Sequence, residues 1–93
     1  MLLIREHFIA KPGCAGKLAK MMKEVMEVAG ATSRIMTDAM GDFNQVVIET
    51  ETPSLAEFEA WMMKNMTNPA IREKMTGYND LWITGKREVF RLV

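Results

Sequence analysis

Cysteine and histidine are almost absent from this sequence, whose 93 residues include one of each, Cys14 and His7. A single cysteine cannot form an internal disulfide, which agrees with a reducing cytoplasm. One histidine and one cysteine among scattered carboxylates cannot build a zinc or iron site, so we expect no metal and no other cofactor. The sequence also lacks a phosphate-binding glycine loop and a Ser/His/Asp arrangement.

The sequence also has no excess of one charge and no long apolar run. Twelve basic residues balance twelve acidic ones, and no cluster of Lys and Arg could track phosphates, so nucleic acid is not an expected partner. Residues 1–10, MLLIREHFIA, are interrupted by three polar side chains before the apolar region of a secretory signal could form. No run approaches the roughly 18 apolar residues of a membrane span. We therefore expect a cytoplasmic protein with no membrane partner.

Short apolar runs bounded by turn residues define the first half of a single domain, residues 1–93. Residues 2–10 read as a strand, closed by a Lys-Pro-Gly turn. An amphipathic helix with a wide apolar face follows and ends at Gly30 in a left-handed turn. Two strands come next, Ser33–Met40 and Phe43–Glu51. Only Gly41-Asp42 separates them, which predicts a tight hairpin.

Capping residues locate the second helix. Ser54 opens a capping box, with a glutamate three residues later, and predicts a helix from Leu55 to about Met66. Asn68-Pro69 restarts the helix, and the region Asp80–Val93 is strand-like, with Gly85 as a bulge or bend. The resulting order β-α-β-β-α-β predicts an α+β, ferredoxin-like fold with an antiparallel sheet and both helices on one face.

The strands carry apolar residues on both faces, as where Val47 lies between Val46 and Ile48. A sheet face in contact with water should alternate to polar residues more cleanly. A short chain of zero net charge also has a small core and little charge repulsion between copies. We therefore expect a homodimer in which two sheets pack face to face. The sequence does not settle which strand face forms that interface.

Four short motifs accompany this order of elements: KPG (Lys11–Gly13), GD (Gly41-Asp42), PSLAEFEAW (Pro53–Trp61) and REVFRL (Arg87–Leu92). With them the chain resembles the dimeric α+β-barrel superfamily, in which two ferredoxin-like chains pack sheet on sheet. It is most similar to the branch of antibiotic-biosynthesis monooxygenases, haem-degrading relatives and NIPSNAP-type domains. The resemblance implies a small-molecule cavity between the sheet and the helices.

The resemblance also implies residues that line this cavity. In the cofactor-free monooxygenases and the haem degraders, a tryptophan on the second helix lines it, and Trp61 matches that residue. Asn65, one turn later, matches an asparagine of the same helix. His7 stands at a first-strand position where haem degraders carry asparagine. Because the chain has no histidine in the second helical region to act as an axial ligand, the resemblance does not extend to haem.

The residue pattern adds Phe58 and Tyr78 to these three residues. The expected ligand-binding set is therefore Trp61, Asn65, His7, Phe58 and Tyr78. On a helical wheel Trp61 and Asn65 lie beside Phe58 at the edge of the apolar stripe, where a helix meets a cleft. Tyr78 follows a helix-ending glycine and can reach the cavity mouth. Other readings stay open: Trp61 as half-buried packing, Asn65 as a solvated or backbone-bonded residue, and His7 as a structural residue.

Two functions are compatible with this reading. One is an uncharacterised dimer that binds a small apolar or aromatic ligand. The other is a cofactor-independent monooxygenase that acts on an electron-rich aromatic substrate, with Trp61, Asn65 and His7 orienting the substrate and moving protons. No catalytic residue can be assigned, and the sequence leaves open whether the protein is an enzyme.

Overall fold

The computed structural model describes residues 1–93. The strands are β1 (Leu2–Ala10), β2 (Ser33–Thr37), β3 (Gln45–Thr52) and β4 (Trp82–Arg91). The helices are α1 (Ala15–Val28), α2 (Leu55–Met66) and α3 (Pro69–Lys74), and a short 3-10 turn at Tyr78–Asp80 leads into β4. The strands form one antiparallel sheet in the order β2-β3-β1-β4. The predicted ferredoxin-like α+β fold is confirmed.

Strand β1 lies at the centre of the sheet, and its alternating side chains separate the two faces. Ile4, Phe8 and Ala10 are buried and point toward the helices. On α1 the buried residues Leu18 and Met22 recur at helical spacing and belong to the same core. Burial of these apolar side chains holds the helical layer on the sheet.

The predicted helix ends are confirmed in detail. The Ser54 hydroxyl accepts the Glu57 N–H at 3.2 Å and caps α2, which covers the predicted residues Leu55–Met66. The Asn68 side chain accepts the Ala70 N–H at 3.0 Å and caps α3. Gly30, with a φ of 68°, takes the left-handed conformation that ends α1.

The predicted tight hairpin at Gly41-Asp42 is wrong. Strand β2 ends at Thr37 and β3 begins at Gln45, so residues 38–44 form a wider connection. The Asp38 carboxylate accepts the Gln45 N–H at 2.8 Å, so a side chain takes the bond that would have extended the ladder. The Asn44 carbonyl accepts the Ala10 N–H at 2.8 Å, which directs the chain to β1 before β3 begins.

The prediction of a bulge at Gly85 is also wrong. The register between β1 and β4 shifts after Ile9, opposite Ile83, whereas Gly85 pairs regularly with Phe8. A Cβ on Gly85 would lie 3.0 Å from the Phe8 ring. Glycine is therefore needed there because the ring of Phe8 lies over the backbone of β4.

Helices cover only one face of the sheet, so the molecule measures 35 × 34 × 18 Å. We call the other side the open face; the alternation of the strands places on it Leu3, Arg5, His7, Ile9, Arg34, Met36, Gln45, Val47, Glu49, Glu51, Thr84, Lys86, Glu88 and Phe90. Apolar side chains surround a charged centre there. None of the helices has the length and apolar character needed to cross a membrane.

Candidate ligand-binding site

A depression of about 400 Å³ lies on the helical side of the sheet, between α2, the end of β3 and the turn after α1. We call it the α2–β3 depression. Ten residues line it: Gly30, Ala31, Thr32, Thr50, Glu51, Thr52, Pro53, Glu57, Phe58 and Trp61. Local sequence signals position these walls. Gly30 ends α1, and Pro53 and Ser54 end β3 and start α2 with no intervening loop.

The aromatic wall of the α2–β3 depression is built by Phe58 and Trp61, one turn apart on α2. Their rings stack with centroids 6.2 Å apart and planes at 19°. Phe58 is 7% exposed and anchors the pair, whereas Trp61 is half-buried and borders the depression. The Arg87 guanidinium lies 5.3 Å from the Phe58 centroid and bonds the Glu6 carboxylate at 3.2 Å. The buried ring is thus held by an aromatic stack and a cation–π contact.

The rest of the depression is polar. Thr50 and Ser33 share a hydroxyl–hydroxyl bond of 2.8 Å, and the Thr52 hydroxyl donates to the Ser54 carbonyl at 3.2 Å. Glu57 on α2 contributes an exposed carboxylate, whereas Glu51 pairs with Leu3, so its side chain lies on the open face. An aromatic wall facing a few hydroxyls and a carboxylate can hold a small flat molecule and fix its orientation by hydrogen bonds.

Asn65, a predicted site residue, does not line the α2–β3 depression. Its side chain is buried, and the amide nitrogen donates to the Trp61 carbonyl at 2.8 Å. Its own carbonyl accepts the Asn68 N–H at 3.1 Å, where α2 gives way to α3. Asn65 therefore fixes the last turns of the helix that carries Trp61, as the backbone-bonded reading allowed.

Tyr78 lies at a different place on the helical side. It lines a separate depression with Met66 and Met75, and its ring packs edge-on against Phe8 at a centroid distance of 6.0 Å. Burial, and to a lesser extent the nearby Glu6 carboxylate, raises the pKa of Tyr78 above its usual value of 10.0. The phenol is a hydrogen-bond donor at neutral pH and not a base.

His7 lies on the open face, opposite the side that carries Trp61. It pairs with Val47 and Lys86 in the sheet and lines a third depression with Arg5 and Glu88. Its Nε2 atom is buried and has no hydrogen-bond partner within the chain. Of the five predicted site residues, the structure therefore brings only Phe58 and Trp61 together.

Sequence reasoning missed the polar side of the depression. The sequence indicates Glu57 only as a capping residue and the β3 threonines, Thr50 and Thr52, only as strand residues. The signal for all three is the Thr-Pro-Ser junction at residues 52–54, which turns the chain sharply and folds the start of α2 beside the end of β3.

Comparison with known proteins identifies the fold. No family model matches the sequence, and no curated protein matches it. A NIPSNAP domain protein from Burkholderia xenovorans superposes with a TM-score of 0.85 at 13% identity, over 100% of this chain and 95% of the other. A NIPSNAP family protein of unknown function from Agrobacterium tumefaciens gives 0.85 at 15% identity, over 97% and 86%.

A third similar structure comes from another group of proteins. A putative antibiotic biosynthesis monooxygenase from Chloroflexus aurantiacus superposes with a TM-score of 0.76 at 14% identity, covering 99% of this chain and 92% of the other. The expected resemblance to NIPSNAP-type and antibiotic-biosynthesis-monooxygenase-like proteins is confirmed for the fold. At such low identity it says nothing of activity.

Proposed function

We propose that this protein binds a small apolar or aromatic molecule in the α2–β3 depression. The observation that carries the proposal is the half-buried Trp61 ring, stacked on the buried Phe58 and bordering about 400 Å³ of open space. Cavities of roughly 300–1,000 Å³ with one aromatic wall and a few polar groups are typical of small-molecule sites. A ring held by a stack on one side is already oriented for a flat ligand, which lowers the entropy cost of binding.

We also propose that the protein acts as a homodimer whose open faces pack against each other. A folded monomer of 10.6 kDa is expected to expose about 5,500 Å². This chain exposes 6287 Å², an excess of roughly 800 Å², which is the area that each partner buries in an interface of standard size.

The charges of the open face favour a second copy as its partner. Arg5, Arg34 and Lys86 carry three positive charges there, and Glu49, Glu51 and Glu88 carry three negative ones. A two-fold axis through such a mixed surface can set arginine of one copy beside glutamate of the other.

A cofactor-independent monooxygenase is the second candidate, and the geometry supports it less well. Of the three residues expected to orient the substrate and move protons, only Trp61 borders the depression. His7 lies on the other side of the sheet, and the Asn65 amide nitrogen is already bonded to the backbone. Mixing the protein with a dihydroxyaromatic compound and measuring oxygen uptake tests this candidate. A rate above the buffer blank that Trp61→Ala abolishes would support it, and a rate equal to the blank would exclude that substrate class.

The binding proposal is tested by following 3-methylindole, a neutral flat probe, in NMR titrations of isotope-labelled protein. Perturbed resonances should cluster around the indole N–H of Trp61, and that of Trp82 should not move. We expect Trp61→Ala to weaken binding by at least about tenfold, since the stacking surface is lost. Because Trp61 is only half-buried, the substitution should cost less than the roughly 3–5 kcal/mol of a buried aromatic.

Two further variants make the result decisive. Met63→Ala changes a 73% exposed residue of the same helix and should leave binding unchanged. Trp61→Phe keeps an aromatic ring and should retain part of the affinity. Equal binding by Trp61→Ala and the wild type, with both proteins folded, would refute the proposed site.

A further inference from the structure

The aromatic wall of the α2–β3 depression stands apart from the main apolar core. Phe58 is 7% exposed, yet it lies outside the core cluster that joins α1, α3 and the sheet. Trp61 is only half-buried and does not pack against that cluster either. A half-buried side chain with few packing partners can occupy more than one rotamer. The orientation of Trp61 therefore depends on contacts outside the core.

Arg87 supplies such a contact from the sheet. It lies on β4 directly opposite Glu6 of β1, and its Nη2 atom donates to the Glu6 carboxylate at 3.2 Å. Its guanidinium carbon also lies 5.3 Å from the centroid of the Phe58 ring. A guanidinium is planar, so it can stack on an aromatic face while its edge donates hydrogen bonds to a carboxylate. Arg87 thus joins the sheet to the aromatic wall of α2.

The series of contacts continues from Phe58 to Trp61, whose rings stack with centroids 6.2 Å apart and planes at 19°. At its other end the Glu6 side chain is 18% exposed and belongs to the central strand of the sheet, so the series starts from a well-fixed group. Arg87 is not among the ten residues that line the depression. Any effect of Arg87 on a bound molecule must therefore pass through the two rings.

From this geometry we infer that Arg87 is a positioning residue of the binding site: held by Glu6, it fixes the Phe58 ring and, through it, the orientation of Trp61 toward the ligand. The inference rests on the proposed function and adds to it a residue that controls affinity without touching the ligand. A wall that is oriented before binding loses less conformational entropy when the ligand arrives. Removal of the guanidinium therefore lowers the affinity of the site.

Substitutions of two arginines on β4 test the inference with 3-methylindole, in NMR titrations that follow the Trp61 indole N–H. We expect Arg87→Gln to weaken binding about two- to fivefold, as for the loss of one cation–π contact at a partly exposed site. Arg91→Gln is the matched control and should bind as the wild type does. Arg91 lies on the same side of β4, opposite Leu2, and takes part in none of the four ion pairs. Arg87→Lys keeps a cation in place and should recover part of the loss.

Measurements on the ligand-free protein separate the orientation of Trp61 from the stability of the fold. In Arg87→Gln the nuclear Overhauser effects between the Phe58 and Trp61 rings should weaken. The Trp61 indole resonances should also move toward those of a solvent-exposed tryptophan. Trp82, which packs on other aromatic rings, is the internal control and should keep its resonances. A purely structural role of Arg87 would lower the melting temperature and leave the ring-to-ring effects unchanged in the folded protein.

The possible results distinguish the two proposals. If Arg87→Gln binds 3-methylindole as tightly as the wild type, or keeps its effects between the Phe58 and Trp61 rings, the positioning role is wrong while the binding site stands. Equal weakening by Arg91→Gln would also overturn it, because the loss would then not be specific to the residue on Phe58. If 3-methylindole does not perturb Trp61 in the wild type, both the proposed site and the inference drawn from it are wrong.

Discussion

Arg5 and Glu49 face each other across β1 and β3, with the Arg5 Nε donating to the Glu49 carboxylate at 2.8 Å. Arg34 on β2 donates to the other oxygen of the same carboxylate at 2.6 Å. The Arg5 guanidinium also lies 5.1 Å from the ring centroid of Phe90 on β4. The Arg5–Glu49 ion pair at the centre of the open face thus contacts side chains of all four strands.

This network predicts a loss of stability in acid. The hydrogen bond from Arg5, aided by the charges of Arg5 and Arg34, holds the pKa of Glu49 below its usual value of 4.5, although burial acts in the opposite direction. Because the pKa is lower in the folded state, the stabilisation is present above pH 4.5 and is lost as the pH falls through the folded-state value.

Glu49→Gln isolates this contribution. We expect the variant to have a lower melting temperature than the wild type at neutral pH and a smaller further decrease on acidification. Thermal melts over a series of acidic buffers measure both effects. Glu59→Gln, an exposed residue of α2, should follow the wild-type curve, and a Glu49→Gln curve parallel to the wild type would contradict the argument.

The homodimer proposal can be tested by the same Met-to-Lys substitution at two positions. Met36→Lys places a charge on the open face, where it would be buried unpaired between two sheets. Met63→Lys places the same charge on the outer side of α2, at a residue that is 73% exposed. We expect the wild type and Met63→Lys to sediment at twice the 10.6 kDa chain mass, and Met36→Lys to be monomeric or unfolded. A wild-type monomer at micromolar concentration would refute the dimer.

A pair of glycine substitutions tests the packing of Phe8. Gly85→Ala puts a Cβ 3.0 Å from the Phe8 ring and should destabilise the protein by about 1–3 kcal/mol, because a core side chain must move. Gly16→Ala, in α1, meets no atom within 4 Å and should stabilise by up to about 1 kcal/mol. Chemical denaturation of both variants measures the difference. Equal effects of the two substitutions would show that Phe8 does not restrict residue 85.

The only tyrosine of the chain allows a direct titration of its site. Since burial and Glu6 raise the pKa of Tyr78 above 10.0, absorbance at the phenolate band should rise at higher pH in the folded protein than in denaturant. The corresponding stabilisation is present below pH 10.0 and is lost as the pH rises through the folded-state value. Glu6→Gln should lower the midpoint by removing a repulsive charge. A Tyr78 midpoint equal to that of denatured protein would contradict the assigned environment.

The sequence predicts the parts of this fold that depend on neighbouring residues. The helix α2 begins and ends as predicted because Ser54 and the Asn68-Pro69 pair act within a turn of the residues they cap. The function of Gly85 could not be read in the same way, since Phe8, the residue that requires it, lies on another strand. The hairpin prediction failed for a similar reason: nothing in the Gly41-Asp42 pair shows that Asp38 will take the Gln45 N–H.

The candidate site is half predictable on the same grounds. Phe58 and Trp61 are one turn apart on a well-marked helix, so their proximity follows from sequence. The resemblance implied that His7 belongs with them, and because β1 is apolar on both sides, its sequence does not show which side the helices cover. The hydroxyls of Thr50 and Thr52 and the carboxylate of Glu57 come from β3 and α2, and only the sharp junction at Pro53 places them around one cavity.

The central position of β1 has a consequence for the order in which the chain can fold. β1 precedes the other three strands of the sheet, yet its partners are β3 and β4, and β4 comes after all of them. The Leu92 N–H even donates to the Met1 carbonyl at 3.0 Å. During synthesis, therefore, the most apolar strand keeps one unpaired edge until β4 has emerged from the ribosome. Such high contact order slows folding, and an open β1 edge is where a chaperone or an aggregating neighbour would bind first.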